Sequence, residues 1–345
     1  MNNKITAIAV AAALAAPMAA QAAPKVYGFG QIEYASTSNS AAATTDKVYV
    51  TDNKRGRFGI KGSEDLGGGL KSIYKLEFGI DTSGDKQNSG GGNTIFNREM
   101  MVGLKIGKQH TIEAGNLKQA YKYMGGVKYD TFVATSLQAR EGSSNIAGSG
   151  GAMSGGTLGH GGFLKNSVAY IGKFKPVKVW ITTDLDDTAG ETGETTYGVS
   201  AKLAGAHFGI AGATNDNCTT ASTNCTGQGG KDATKIFGSY KIGQHTIRAQ
   251  VESVETTSSA GTNTGETDYI YLNYQFKMGK HLVDVAIGEK DQNTTAGDND
   301  EDFTRLAYAY KFSKKTMVFA GIAENDANGT SNDWDTASVG IRVKF

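Results

Sequence analysis

Apolar and polar residues alternate with period two along most of this chain. At the C-terminus Val339, Ile341, Val343 and Phe345 are apolar, and Ser338, Gly340, Arg342 and Lys344 between them are small or charged. Successive side chains of a strand point to opposite faces, so such a segment has one apolar face and one wet face. The alternation recurs in Leu70–Asp81, Lys235–Ile242, Ile247–Glu252, Ile270–Lys277 and Arg305–Phe312. It predicts sixteen strands, at 25–36, 54–64, 69–82, 95–106, 109–116, 164–174, 176–185, 195–204, 206–214, 234–242, 245–256, 267–277, 281–290, 302–312, 315–325 and 334–345.

Alternation alone fits a soluble sandwich as well as a membrane barrel, and the linkers separate the two. Long linkers at 37–53, 83–94, 117–163, 186–194, 215–233, 257–266, 291–301 and 326–333 alternate with short turns near Asp65–Gly68, Gly107–Lys108, Lys175, Gly205, Gly243–Gln244, Gly279–Lys280 and Ser313–Lys314. Long extracellular loops and short periplasmic turns are the outer-membrane pattern, and a sandwich has no reason to follow it. The predicted fold is all-β: a 16-stranded antiparallel transmembrane β-barrel whose outer face meets membrane lipid. Both termini then lie on the short-turn side. Aromatic residues near strand ends (Tyr27, Phe29, Tyr34, Tyr240, Tyr274, Phe276, Phe312, Trp334 and Phe345) are expected in girdles at the two lipid–water boundaries.

Composition adds export and removes several kinds of chemistry. Lys4 precedes an apolar run, Ile5–Ala16, and Ala20-Gln21-Ala22 fits the small-x-small cleavage rule. Residues 1–22 therefore read as a secretory signal peptide, leaving 23–345 as the barrel. Past residue 23 no apolar run reaches the ~20 residues of a membrane helix. The chain has 35 basic and 34 acidic side chains, and the leader carries one Lys and no acid, so the charges of 23–345 balance. That balance argues against nucleic acid as a partner. Cys218 and Cys225 share a Thr/Asn/Gly-rich stretch and, in an exported chain, are expected to form a loop-closing disulfide. His110, His207, His245 and His281 each follow a short-turn Gly by two or three positions, on different hairpins, and with His160 they form no metal cage. No Gly-x-Ser-x-Gly or His-Glu-x-x-His motif is present. The acidic run Asp298–Asp302 lacks the spacing of an EF-hand loop. No enzyme, cofactor or metal is expected.

Several motifs resemble one family. Val26-Tyr27-Gly28-Phe29-Gly30 looks like the first strand, and Arg57 to Leu70 (RFGIKGSEDLGGGL) the second hairpin, of the trimeric general porins of Gram-negative bacteria. Asn97-Arg98 with Val102-Gly103-Leu104 resembles their fourth strand, and Asn166-Ser167-Val168-Ala169-Tyr170 the strand after their constriction loop. Phe345 matches their C-terminal aromatic, which the barrel-insertion machinery reads. The resemblance implies a homotrimer of water-filled channels for passive diffusion of small hydrophilic solutes and ions. It also implies that the third long loop, 117–163, folds into the lumen and narrows it. The residues agree: a 47-residue linker carrying Tyr129, Phe132, Val133 and Leu137 needs a surface to pack on.

The family pattern further implies basic wall residues facing acids on that loop. Arg55, Arg57, Lys61 and Lys75 have the inward phase, and Asp130 and Glu141 are the expected opposing acids. Arg98 is also a candidate, although it shares phase with Met100, Val102 and Leu104, which points it at lipid. Two departures bear on the constriction: Asn116 stands where family members often have Arg, and Asn145–Gly162 is rich in Gly and Ser. The alternatives are a substrate-specific sugar or anion channel of the same fold and, from another class, an extracellular adhesin-type β protein.

Overall fold

The structure is a computed structural model that describes residues 23–39, 47–53, 55–83, 95–140, 152–154, 163–185, 193–215, 230–258, 263–295, 297–328 and 333–345. Its strands are β1 (Lys25–Asn39), β2 (Lys47–Thr51), β3 (Arg57–Gly67), β4 (Leu70–Ile80), β5 (Ile95–Ile106), β6 (His110–Lys118), β7 (Phe163–Phe174), β8 (Val177–Asp184) and β9 (Thr195–Leu203). The second half continues with β10 (Ala206–Asn215), β11 (Lys231–Ile242), β12 (His245–Thr257), β13 (Asn263–Met278), β14 (His281–Thr294), β15 (Gly297–Asp298), β16 (Glu301–Lys311), β17 (Thr316–Ala327) and β18 (Trp334–Lys344).

Apart from β2 and β15, the strands pair antiparallel in chain order, and β1 closes the sheet by pairing with β18 from Phe29↔Lys344 to Asn39↔Trp334. β2 and β3 both pair with β1 and form one interrupted stave, while β15 only extends the β14–β16 hairpin. The described residues thus make a closed sixteen-stave barrel. Closure removes every sheet edge, which a membrane requires because its interior offers backbone groups no water. Among the described residues no helix is long and apolar enough to cross a membrane, so the crossing is by strands.

The two faces follow the alternation. On β1, Ile32 and Tyr34 are exposed while Gln31, Glu33 and Ala35 are buried; on β16, Leu306 and Tyr308 are exposed while Phe303, Arg305, Ala307 and Ala309 are buried. A soluble protein buries its Leu and Ile, whereas here Ile236, Ile247, Ile270, Leu272 and Ile322 stand outside and polar groups lie within. This inversion is the signature of a wall solvated by lipid. Short turns such as Gly243-Gln244 and Gly279-Lys280 place their glycines at φ 56° and 57°, the left-handed region a tight hairpin needs.

Tyr27 and Phe29 correct the expected girdle. They share the inward phase of Gln31, and the Tyr27 hydroxyl donates to Glu77 Oε2 at 2.9 Å. Alternating aromatics on a first strand mark either face, and only the register with β3 decides which. The tyrosines of the outer face do take interfacial partners: Tyr170, Tyr274 and Tyr308 meet His110, His245 and His281, hydroxyl to Nδ1, at 2.7–2.8 Å.

Candidate functional site

Among the described residues the interior divides into a wall covered by a loop and a wall left bare. The covering segment is 119–140 with 152–154, which opens on a single helical turn, Ala120–Tyr123. Tyr121, Met124, Tyr129, Phe132, Leu137 and Met153 are buried against Phe237, Tyr271, Phe303, Phe319 and a series of small wall residues, among them Ala211, Ala286 and Ala307. Burying a large apolar side chain is worth ~1.5–3 kcal/mol, so these contacts favour the packed loop over a solvated one. Small residues on the wall make the space. Leu137 lies over Gly321 of the wall, and on the loop itself an added Cβ at Gly125 (φ 87°) would meet Gln250 at 2.7 Å and Phe237 at 2.8 Å.

Three carboxylates pin the loop's polar groups. Arg305 donates to Asp130 Oδ1 of the loop at 2.7 Å, to the Leu137 carbonyl at 2.9 Å and to Asp284 Oδ1 at 2.7 Å. Asp130 in turn accepts the backbone N–H groups of Phe132 and Ala139. Glu33 accepts the Ser136 N–H at 3.0 Å, Asn53 at 2.8 Å and the Ser338 hydroxyl at 2.9 Å. Glu252 accepts the Tyr121 hydroxyl and the Ser154 hydroxyl, each at 2.7 Å. The loop would otherwise bury its backbone donors without partners, at about 1–3 kcal/mol each.

The bare wall is built by β1, β3, β4, β5 and β18. Phe29 is its hub: the guanidinium carbons of Arg57, Arg55 and Arg342 lie 4.6, 5.4 and 5.9 Å from its ring centroid. Glu77 takes Arg57 at 3.4 Å, Arg98 at 2.9 Å and Lys75 at 3.2 Å. Glu99 takes Lys75 and Lys118. From the loop, Tyr123 stacks on Trp180 with ring centroids 6.5 Å apart, and Lys118 lies over the Tyr123 ring. Burial, and after it the nearby guanidiniums of Arg140 and Arg98, hold the Lys122 ammonium well below the usual lysine range. Among the described residues the cations here outnumber the acids.

Arg98 overturns the strand-phase expectation. Leu76 pairs with Met100 but Phe78 pairs with Asn97, so Arg98 and Glu99 both stand opposite Glu77. This β-bulge turns both side chains inward, where unbroken alternation would send one to lipid. A second irregularity follows Gly115, and there Asn116 donates to the Arg98 carbonyl. Asp130 is a further correction. It does not oppose the bare wall's cations; it is fully buried against Arg305. Arg305 was missed because an inward Arg in sequence carries no sign of a partner 175 positions away. Arg55, Arg57 and Lys75 lie together on the bare wall. Lys61 is exposed, with its ammonium 5.0 Å from the Tyr27 ring centroid. Glu141, Cys218, Cys225 and the segment 1–22 lie outside the described residues. Phe345 closes on β1, donating its N–H to the Gly28 carbonyl at 3.0 Å. Among the described residues no group of His, Cys, Asp and Glu has the arrangement to hold a metal ion.

A closed barrel with an apolar exterior, a charged interior and a loop packed within it defines an outer-membrane β-barrel protein. A family model described as Gram-negative porin matches residues 7–330, and the chain belongs to that family. It is 33% identical over 133 residues to the major outer membrane protein P.IB of Neisseria gonorrhoeae, a match covering 36% of this chain and 34% of the relative. The chain thus spans about a third of the length of that relative. Its fold is similar to an anion-selective porin from Comamonas acidovorans (TM-score 0.72, 18% identity, 94% of this chain and 99% of that one). It is also similar to a loop-deletion mutant of OmpT, an outer membrane protein of Vibrio cholerae (TM-score 0.72, 16% identity, 94% of this chain and 100% of that one).

Proposed function

We propose that this protein is a passive, water-filled channel for small hydrophilic solutes and ions across the outer membrane, with a preference for anions. The observation that carries the preference is the bare wall, where Arg55, Arg57 and Arg342 gather on one aromatic ring and Arg98 and Lys75 share Glu77. A narrow, low-dielectric passage with a surplus of one charge concentrates ions of the opposite sign. The similar fold of the anion-selective porin from Comamonas acidovorans is consistent with this. The working form is a homotrimer, exported by a leader at 1–22, with Phe345 as the assembly signal and a disulfide between Cys218 and Cys225. It performs no catalysis.

The test is single-channel recording in a planar bilayer under a KCl gradient. Stepwise conductance with a reversal potential on the chloride side is expected. Absence of steps overturns the channel, and a potential on the potassium side overturns the preference. An adhesin-type protein would extract into water without detergent, which the apolar outer belt opposes.

A further inference from the structure

The mouth of the barrel on the short-turn side carries a feature that the constriction does not explain. A cavity of about 600 Å³ there is floored by Thr131 and Phe132 of the loop and ringed by Lys277, Lys280, Lys311, Lys315, Lys344 and Arg342. No carboxylate lines it among the described residues. The backbone holds these cations together: Lys311 N–H bonds the Lys280 carbonyl at 2.9 Å, and Lys344 N–H bonds the Lys315 carbonyl at 2.8 Å. A second cavity of about 690 Å³ shares Lys277 and Gly279 with the first. It adds Lys128, Lys202, Lys241 and Arg248, again with no carboxylate. Like charges held side by side repel. A fold that gathers them in a solute-sized recess therefore favours an anionic occupant.

At the loop end the paired acids Glu255 and Glu266, Asp268 and Asp291, and Asp302 and Asp326 share the outward phase of Ile270, Leu272 and Leu306. They charge the outer rim of the barrel, whereas the lysines of the short-turn mouth line the lumen. The ring is mostly lysine, whose compact ammonium acts as a point charge and suits phosphate without the two-pronged geometry of arginine.

We propose that the short-turn mouth binds a compact multivalent anion of the oligophosphate class, and that the bound anion obstructs the channel from that side. The proposal rests on the channel reading, because block presupposes conduction. The experiment adds tripolyphosphate to one chamber or the other of a bilayer holding oriented channels. Accessibility of Ser313→Cys to an impermeant thiol reagent identifies the chamber that faces the short turns. Half-block is expected at a concentration about tenfold lower from the short-turn side than from the loop side, and to weaken steeply with added KCl. Orthophosphate is expected to block far less. The triple variant Lys277→Gln, Lys311→Gln, Lys344→Gln is expected to lose the difference between sides. The double variant Lys280→Gln, Lys315→Gln, at exposed turn positions, is expected to reduce it if the triple variant does not assemble. Stepwise conductance with equal block from both chambers, or side-specific block unchanged in both variants, overturns the mouth site alone. Failure to conduct at all overturns the channel reading instead.

Discussion

Arginine meets carboxylate on both parts of the inner wall, with different results. On the covered wall, Arg305, Asp130 and Asp284 have side chains with no solvent exposure, and two acids serve one guanidinium. On the bare wall, Arg57 and Arg98 each retain 14% exposure and share Glu77 with Lys75. A buried guanidinium needs its charge paired, because desolvation leaves no other source of stabilisation. A hydrated one tolerates a surplus of like charge, and the surplus is what a passing ion senses. The same residue types therefore act as a fastener in one place and, in the proposed reading, as a filter in the other.

The sharpest way to break this comparison is Arg305→Ala. It leaves Asp130 and Asp284 buried without a counter-charge, at a cost of about 3–5 kcal/mol. The loop should detach from β14 and β16, lowering thermal stability and raising single-channel conductance. Unchanged conductance would mean that the loop holds its place without this contact. The converse experiment is Arg57→Glu with Arg98→Glu. Here the reversal potential should move toward potassium, with a much smaller change in thermal stability than Arg305→Ala produces. A fold as damaged as that of Arg305→Ala would erase the distinction between the two walls.

Smaller effects sharpen the picture. Tyr121→Phe removes the hydroxyl that donates to Glu252 and should cost about 1 kcal/mol, read as a modest fall in melting temperature without a change of ion preference. The weakest expected effect is a pH dependence. The Lys122 ammonium is held below the usual lysine range, first by burial and then by Arg140 and Arg98. As pH rises it therefore loses its charge before ordinary lysines do. Anion preference should decline on the neutral side of the lysine range, and Lys122→Gln should remove that part of the decline. Identical pH profiles in the two proteins would assign the change to other groups.

The strand plan was legible because it is local. Sixteen alternating segments predicted sixteen staves, with boundaries mostly within a few residues; the largest differences are the second stave, which begins at Lys47 inside the expected linker 37–53 and breaks between Thr51 and Arg57, and the extensions of β13 back to Asn263 and of β14 to Thr294. The apolar residues of 119–140 announced that this loop needs a surface, but not which one. Arg57 and Lys75 were readable from phase, since each sits on a stretch of unbroken alternation; Arg55 precedes β3, in the interruption of the second stave, and still reaches the same wall. Arg98 was not, because one bulge reverses the phase beyond it. Asp130 was assigned to the wrong partner, because an acid on a long loop is compatible with every cation on the wall.

The sequence by itself determined a barrel, its sixteen staves, its apolar exterior and the end on which the chain termini lie. These follow from side-chain alternation and linker length, which neighbouring residues set without reference to the rest of the chain. Only the tertiary structure decided which wall the loop covers, which way Arg98 points and what Asp130 holds. Those depend on register between strands and on pairings across more than a hundred residues, where packing and desolvation choose among partners that look equivalent in sequence.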